Sequence, residues 1–137
     1  MRTISCTYNG DLRCTAVHNK SGKMFKTDAP KDHKGKGRSF SPTDLTATSL
    51  GTCILTFMGI YCQDKGWNMN GATCDVQKIM GSHPERNIEK LDLYICLPDT
   101  LTIEQIEELR EVAHHCPIVL TLNCHVEIEF YWVCDVN

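Results

Sequence analysis

The sequence predicts a single α+β domain spanning residues 1–137, and three observations predict it. Short β-type runs separated by turn signals fill the first third; a long uncharged helical stretch follows; a strand pair, a capped helix and a last strand-like run complete the chain. A chain of 137 residues lies in the usual range for one domain with one core. An apolar share of 42% and a charged share of 23% belong to a globular protein, not to a disordered or fibrous one.

The first runs are residues 4–8, 12–18 and 24–27, parted by Asn9-Gly10 and Ser21-Gly22, which reads as a β-meander. Asn9-Gly10 is a strong two-residue hairpin signal, because both residues tolerate positive φ. Residues 29–39 form a polar loop rich in Pro, Gly and Lys. Ser41-Pro42 then opens the long helix, with Ser41 as N-cap, Pro42 at the first helical position and Asp44 in the first turn. It is expected to end near Gly66. Gly51 and Gly59 inside it predict close approach of another segment, since glycine in an exposed helix costs about 1 kcal/mol relative to alanine. Residues 72–80 and 88–97 read as a second hairpin across a turn at 81–87. Thr102 and Gln105 have capping-box spacing, and Ile103, Ile106, Leu109, Val112, Ala113 and Cys116 form a helical apolar stripe that stops at Pro117. Residues 124–133 alternate as a final strand.

A formal charge of −3 argues against nucleic acid as a partner, because phosphate binding wants a basic surface. The short basic run at 31–38, broken by Gly35 and Gly37, reads as a loop. Residues 45–63 carry no charge and are almost long enough to cross a bilayer, but their threonines, serine and glycines suit a helix buried in protein better than one facing lipid. No membrane partner is expected.

Nine cysteines, at 6, 14, 53, 62, 74, 96, 116, 124 and 134, are many for this length, and their number is odd. With no secretory signal after Met1, they read as mostly free thiols in the cytoplasm. A reactive cysteine needs a nearby cation to stabilise its thiolate. For Cys53, in the middle of the long helix, the candidates are Arg13, Lys20 and Arg38. Cys62 is no partner for it: nine helical residues set the two roughly 13 Å apart on opposite faces. Cys116 is the other cysteine on the apolar stripe of a predicted helix, so two crossed helices would join it to Cys53. The remaining cysteines sit in strand-like runs, where packing is the default role. A metal site is not expected. His114, His115, Cys116, Cys124 and His125 are close in sequence, but there is no CxxC pair and adjacent helical side chains diverge by about 100°. No cofactor is expected either.

Residues 40–45 (FSPTDL), 49–53 (SLGTC) and 113–118 (AHHCPI) resemble the superfamily of osmotically induced protein C and the organic hydroperoxide resistance proteins, OsmC/Ohr. Cys53 and Cys116 fall where that superfamily has its two cysteines. The resemblance implies an OsmC-like fold of two antiparallel sheets around two central helices, in an intertwined homodimer. It also implies a peroxidase reaction: Cys53 thiolate attacks the O–O bond of an organic hydroperoxide or hydrogen peroxide, the sulfenic acid condenses with Cys116 to a disulfide, and a dithiol reductant restores both thiols. Where the peroxidases of the superfamily have a glutamate after the helix-opening proline, this chain has Thr43, with Asp44 next to it as a possible orienting acid; their arginine matches Lys20 by order of elements. The alternative is a redox sensor or small-ligand-binding dimer without substantial peroxidase turnover.

Overall fold

A computed structural model describes residues 2–133, so Cys134 lies outside the described residues. The chain divides into two compact units, Met1–Thr46 and Ala47–Asn137.

The first unit is a three-stranded antiparallel sheet of β1 (Ile4–Gly10), β2 (Arg13–His18) and β3 (Met24–Lys26), in that order. The first hairpin differs from the sequence expectation. Its turn residues are Asp11 and Leu12, at φ 55° and 60°, while Asn9 and Gly10 belong to β1, whose register shifts between Tyr8 and Gly10. A two-residue turn with two left-handed positions matches the twist of the flanking strands, and the bulge moves it along the chain. After β3 the backbone turns through a 3₁₀ turn at Lys31–His33. Gly35 is required there, because a Cβ would lie 1.8 Å from the Ala29 carbonyl oxygen. Among the described residues of this unit only Thr27, Asp28 and Ser41 are buried. Its large apolar side chains Ile4, Tyr8, Met24, Phe25 and Phe40 are exposed.

Helix α1 (Pro42–Lys65) begins in the first unit and runs into the second. Its start is a reciprocal cap: Ser41 Oγ accepts from the Asp44 amide at 3.1 Å, and the Asp44 carboxylate accepts from the Ser41 amide at 3.0 Å. The second unit contains β4 (Thr73–Gly81), β5 (Asn87–Cys96), α2 (Ile103–Ala113), α3 (Pro117–Leu122) and β6 (Glu127–Trp132). Its sheet has the order β4-β5-β6. Strands β4 and β5 form the expected hairpin, but β6 pairs with β5 in parallel, from Lys90↔Glu127 to Ile95↔Trp132. The sheet is therefore mixed. Its parallel edge follows from the connection through α2 and α3, which is long enough for a crossover where a hairpin turn would enforce antiparallel pairing.

The core of this unit lies between its sheet and its helices. Leu91, Leu93 and Ile95, spaced by two on β5, face Leu50, Ile54, Met58 and Cys62, spaced by four on α1, with Leu109 and Ala113 from α2. Each such side chain contributes about 1.5–3 kcal/mol when fully buried. At Gly51 the close approach predicted from the sequence is met, since a Cβ there would lie 2.9 Å from Val76 Cγ2. Gly59 differs, with nothing within 4 Å of that point. Thr102 and Gln105 form the predicted capping box at the start of α2.

Candidate functional site

Cys53 follows Leu50 by three residues on α1, beside the buried stripe, so its side chain is half-buried and packs against the core. Cys116 is fully buried, and the structure corrects its placement. It does not continue the stripe of α2, which ends at Ala113; it is the N-cap of α3, in extended conformation at φ −68° and ψ 145°. Pro117 starts a helix here as well as stopping one, occupying the first helical position where its missing N–H costs nothing. The Cys116 Sγ accepts a hydrogen bond from the Val119 amide at 3.4 Å.

The two thiols are neighbours. The Cys53 sulfur is close enough to raise the Cys116 thiol, and neither cysteine is in a disulfide. Burial pushes the Cys116 thiol pKa up; the Val119 and Ile118 amides oppose that rise and the neighbouring Cys53 sulfur adds to it. Cys116 therefore gives up its proton less readily than an ordinary thiol. The other thiols differ. Burial raises Cys62, which lies in the core stripe, and pushes Cys74 up to about 11 with help from Asp75. Cys6 and Cys124 are exposed, not packed, and Cys124 lies in the turn after α3 rather than in the final strand.

The candidate cations are all in the first unit. Arg38 is held by the fully buried Asp28: its Nε reaches Oδ2 at 2.7 Å, its backbone N–H donates to the same oxygen at 2.9 Å, and its Nη2 reaches Asp11 Oδ2 at 3.2 Å. These bonds hold the Asp28 carboxyl at about 2 and push the Arg38 pKa further up. Arg13 donates from Nε to the Thr27 carbonyl at 3.2 Å and adds its charge to the field on Asp28. Lys20 is exposed in the turn between β2 and β3. Asp44 serves the α1 cap, and Thr43 Oγ1 lies 3.2 Å from Ser41 Oγ.

Sequence reasoning missed the cap made by Cys116 and the anchor made by Asp28. The first had a signal, because a cysteine directly before a proline and an apolar run fits an N-cap position. The second had none beyond the turn-forming Asp28-Ala29-Pro30. Among the described residues, no group of three or more His, Cys, Asp or Glu side chains is arranged to hold a metal ion.

The fold and the site together define an α+β protein with a paired buried and half-buried thiol. The family model described as OsmC-like protein matches residues 35–130, and the chain belongs to that family. Its structure is similar to a crystal structure from Psychrobacter arcticus, provisionally described as an osmotic stress induced and detoxification response protein, with 36% identity, a TM-score of 0.87, and 98% of this chain and 96% of that one covered. An organic hydroperoxide resistance protein from Elizabethkingia anophelis has the same fold, with 19% identity, a TM-score of 0.77 and 98% of each chain covered. So has the organic hydroperoxide resistance protein OhrB of Bacillus subtilis, at 15% identity and a TM-score of 0.69, with 95% of this chain and 96% of that one covered. A search of curated protein sequences finds no match.

Proposed function

We propose that the protein is a thiol-dependent peroxidase for organic hydroperoxides or hydrogen peroxide, using Cys53 as nucleophile and Cys116 as resolving thiol. The neighbouring positions of half-buried Cys53 and buried Cys116 carry the reading. Cys53 thiolate attacks one peroxide oxygen and the O–O bond breaks; the alkoxide or hydroxide leaves with a proton, and Cys53 becomes a sulfenic acid. Cys116 then displaces water from it to form the disulfide, and a dithiol reductant returns both thiols. Membership of the OsmC-like family supports the reading, as does the shared fold with proteins described as organic hydroperoxide resistance proteins.

The candidate cations for the Cys53 thiolate are Arg13, Lys20 and Arg38, of which Arg38 is already held by Asp28 and Asp11. Asp44, the possible orienting acid, accepts from the Ser41 amide in the α1 cap. A homodimer is part of the same reading. Among its described residues the first unit buries no large apolar side chain, and α1 leaves Ile60 55% exposed. By length and composition α1 is apolar enough to cross a membrane, yet a second copy covering it suits its threonines better than lipid does. We place the protein in the cytoplasm as a single-domain homodimer.

The test is thiol mapping by mass spectrometry after one equivalent of cumene hydroperoxide. A Cys53–Cys116 disulfide in wild type, with sulfenate on Cys53 in Cys116→Ser, is the expected outcome. Unchanged thiols at both positions would sink the peroxidase and move the weight to a sensor or ligand-binding dimer. That second reading draws on one observation, the commitment of the Asp44 carboxylate to the α1 cap.

A further inference from the structure

We propose that Tyr94 and Tyr131 form an oxidative modification site, at which a one-electron oxidant joins their phenol rings into an intramolecular dityrosine that ties β5 to β6. The inference stands apart from the peroxidase reading, since no cysteine takes part in it.

Strand register brings the rings together. Leu91, Leu93 and Ile95 turn one face of β5 toward the core, so Lys90, Asp92 and Tyr94 lie on the other. Tyr131 stands directly opposite Tyr94 in the parallel pairing of β5 with β6. The ring centroids are 4.9 Å apart and the planes are inclined by 11°. In such a stack a small rotation about the side-chain bonds brings a carbon ortho to one hydroxyl against its counterpart on the other ring. Tyr94 is 36% exposed and Tyr131 half-buried, which admits a small oxidant from solvent. Among the described residues the other tyrosines have different neighbours: Tyr61 donates to Glu108 Oε2 at 2.6 Å and meets Trp67 edge-on, and the Tyr8 hydroxyl accepts from the Leu12 amide at 3.4 Å.

The charges beside the pair favour loss of an electron. Lys90 Nζ lies 2.7 Å from Glu129 Oε2 and 3.3 Å from Asp92 Oδ1, which sets two carboxylates against one ammonium on this face. Burial first, then the charges of Glu129 and Asp92, push the Tyr131 phenol pKa up, with Lys90 opposing them. The same negative field that disfavours a phenolate favours the positive charge left on a ring when an electron departs.

The steps balance. Two equivalents of oxidant each remove one electron, and each tyrosine releases its phenolic proton, giving two phenoxyl radicals. A bond forms between one ortho carbon of each ring. Each of these carbons then gives up its hydrogen as a proton while the ring oxygen takes one, which restores two phenols. The protein has lost two hydrogen atoms, and the oxidant has gained two electrons.

The test uses full-length protein whose accessible thiols are first capped with N-ethylmaleimide. It is exposed to tris(bipyridyl)ruthenium and persulfate under a flash of light, run on a denaturing gel and mapped by fragmentation. The expected product migrates as a monomer, shows dityrosine fluorescence and joins the Tyr94 and Tyr131 peptides. It should exceed links through Tyr8 or Tyr61 roughly tenfold, because stacked rings meet at an effective concentration far above that of dissolved protein. Tyr94→Phe and Tyr131→Phe keep the ring, with folding checked by circular dichroism, and should each lose this product. Links chiefly through Tyr8 or Tyr61, links chiefly between copies, or no dityrosine at all overturns the inference, as does the same monomeric product in Tyr94→Phe.

Discussion

Burial divides the thiols of this chain into two populations that chemistry can read separately. Cys74, held at about 11, has on the order of one thiolate per thousand molecules at pH 8, and the raised Cys116 and Cys62 are suppressed in the same direction. Brief iodoacetamide labelling at pH 8 should therefore modify the exposed Cys6 and Cys124 first and Cys62, Cys74 and Cys116 last, as read by peptide mass spectrometry. Early labelling of Cys116 would contradict its burial. Asp28 supplies a second residue-scale prediction. Its folded pKa of about 2 lies below its unfolded value near 3.9, so its contribution to stability is present above pH 4 and is lost as the pH falls through 2. Asp28→Asn should lower the urea midpoint at pH 7 and flatten the loss of stability between pH 4 and 2; an unchanged acid limb would show that the Arg38 pair does not set it. Cys53 could be picked out in the sequence because segment 49–53 resembles the OsmC/Ohr superfamily. Asp28 could not, since a turn aspartate that ends exposed and one that ends buried under an arginine have the same local sequence.

At the scale of elements, the caps and the close helix–strand approach are where single changes act. Thr102→Ala removes the bond from the Gln105 amide to Thr102 Oγ1 in the α2 capping box and should cost about 1 kcal/mol in a denaturant titration. Gly51→Ala places a methyl 2.9 Å from Val76 Cγ2 and should cost about 1–3 kcal/mol, with Gly59→Ala, which meets nothing within 4 Å, as the neutral or stabilising control. Equal effects at the two glycines would refute the packing described around Gly51. Most elements could be read from periodicity and punctuation, including the ends of α1 and the start of α2. Two features could not. The break between α2 and α3 was hidden because Cys116 lies three residues beyond Ala113, so helical spacing continues across a chain that has left the helix. The parallel sense of β6 was hidden because an alternating strand has the same pattern in either direction.

For the whole molecule, the open apolar surface decides what must assemble. Ile4, Tyr8, Met24 and Phe25 stand exposed on the small sheet, and Ile103 is 76% exposed at the start of α2. Surfaces of this kind mark association in a soluble chain. Sedimentation velocity should give a dimer, and Ile60→Lys on α1 should shift it toward monomer without loss of the helical circular dichroism signal. A monodisperse wild-type monomer would overturn the homodimer. The fold class was legible at this scale because three short segments resemble the OsmC/Ohr superfamily. The division into two compact units was not, because nothing in the composition changes at Thr46.

The parallel docking of β6 also orders events in time. The β4–β5 hairpin can close as soon as its own residues are made, but the other edge of β5 stays bare until the chain has run from Lys90 through α2 and α3 to Glu127. That edge, with Leu91, Leu93 and Ile95 along it, is during synthesis the part of the second unit most open to pairing with a neighbouring chain, and a ribosome pausing before β6 prolongs the exposure.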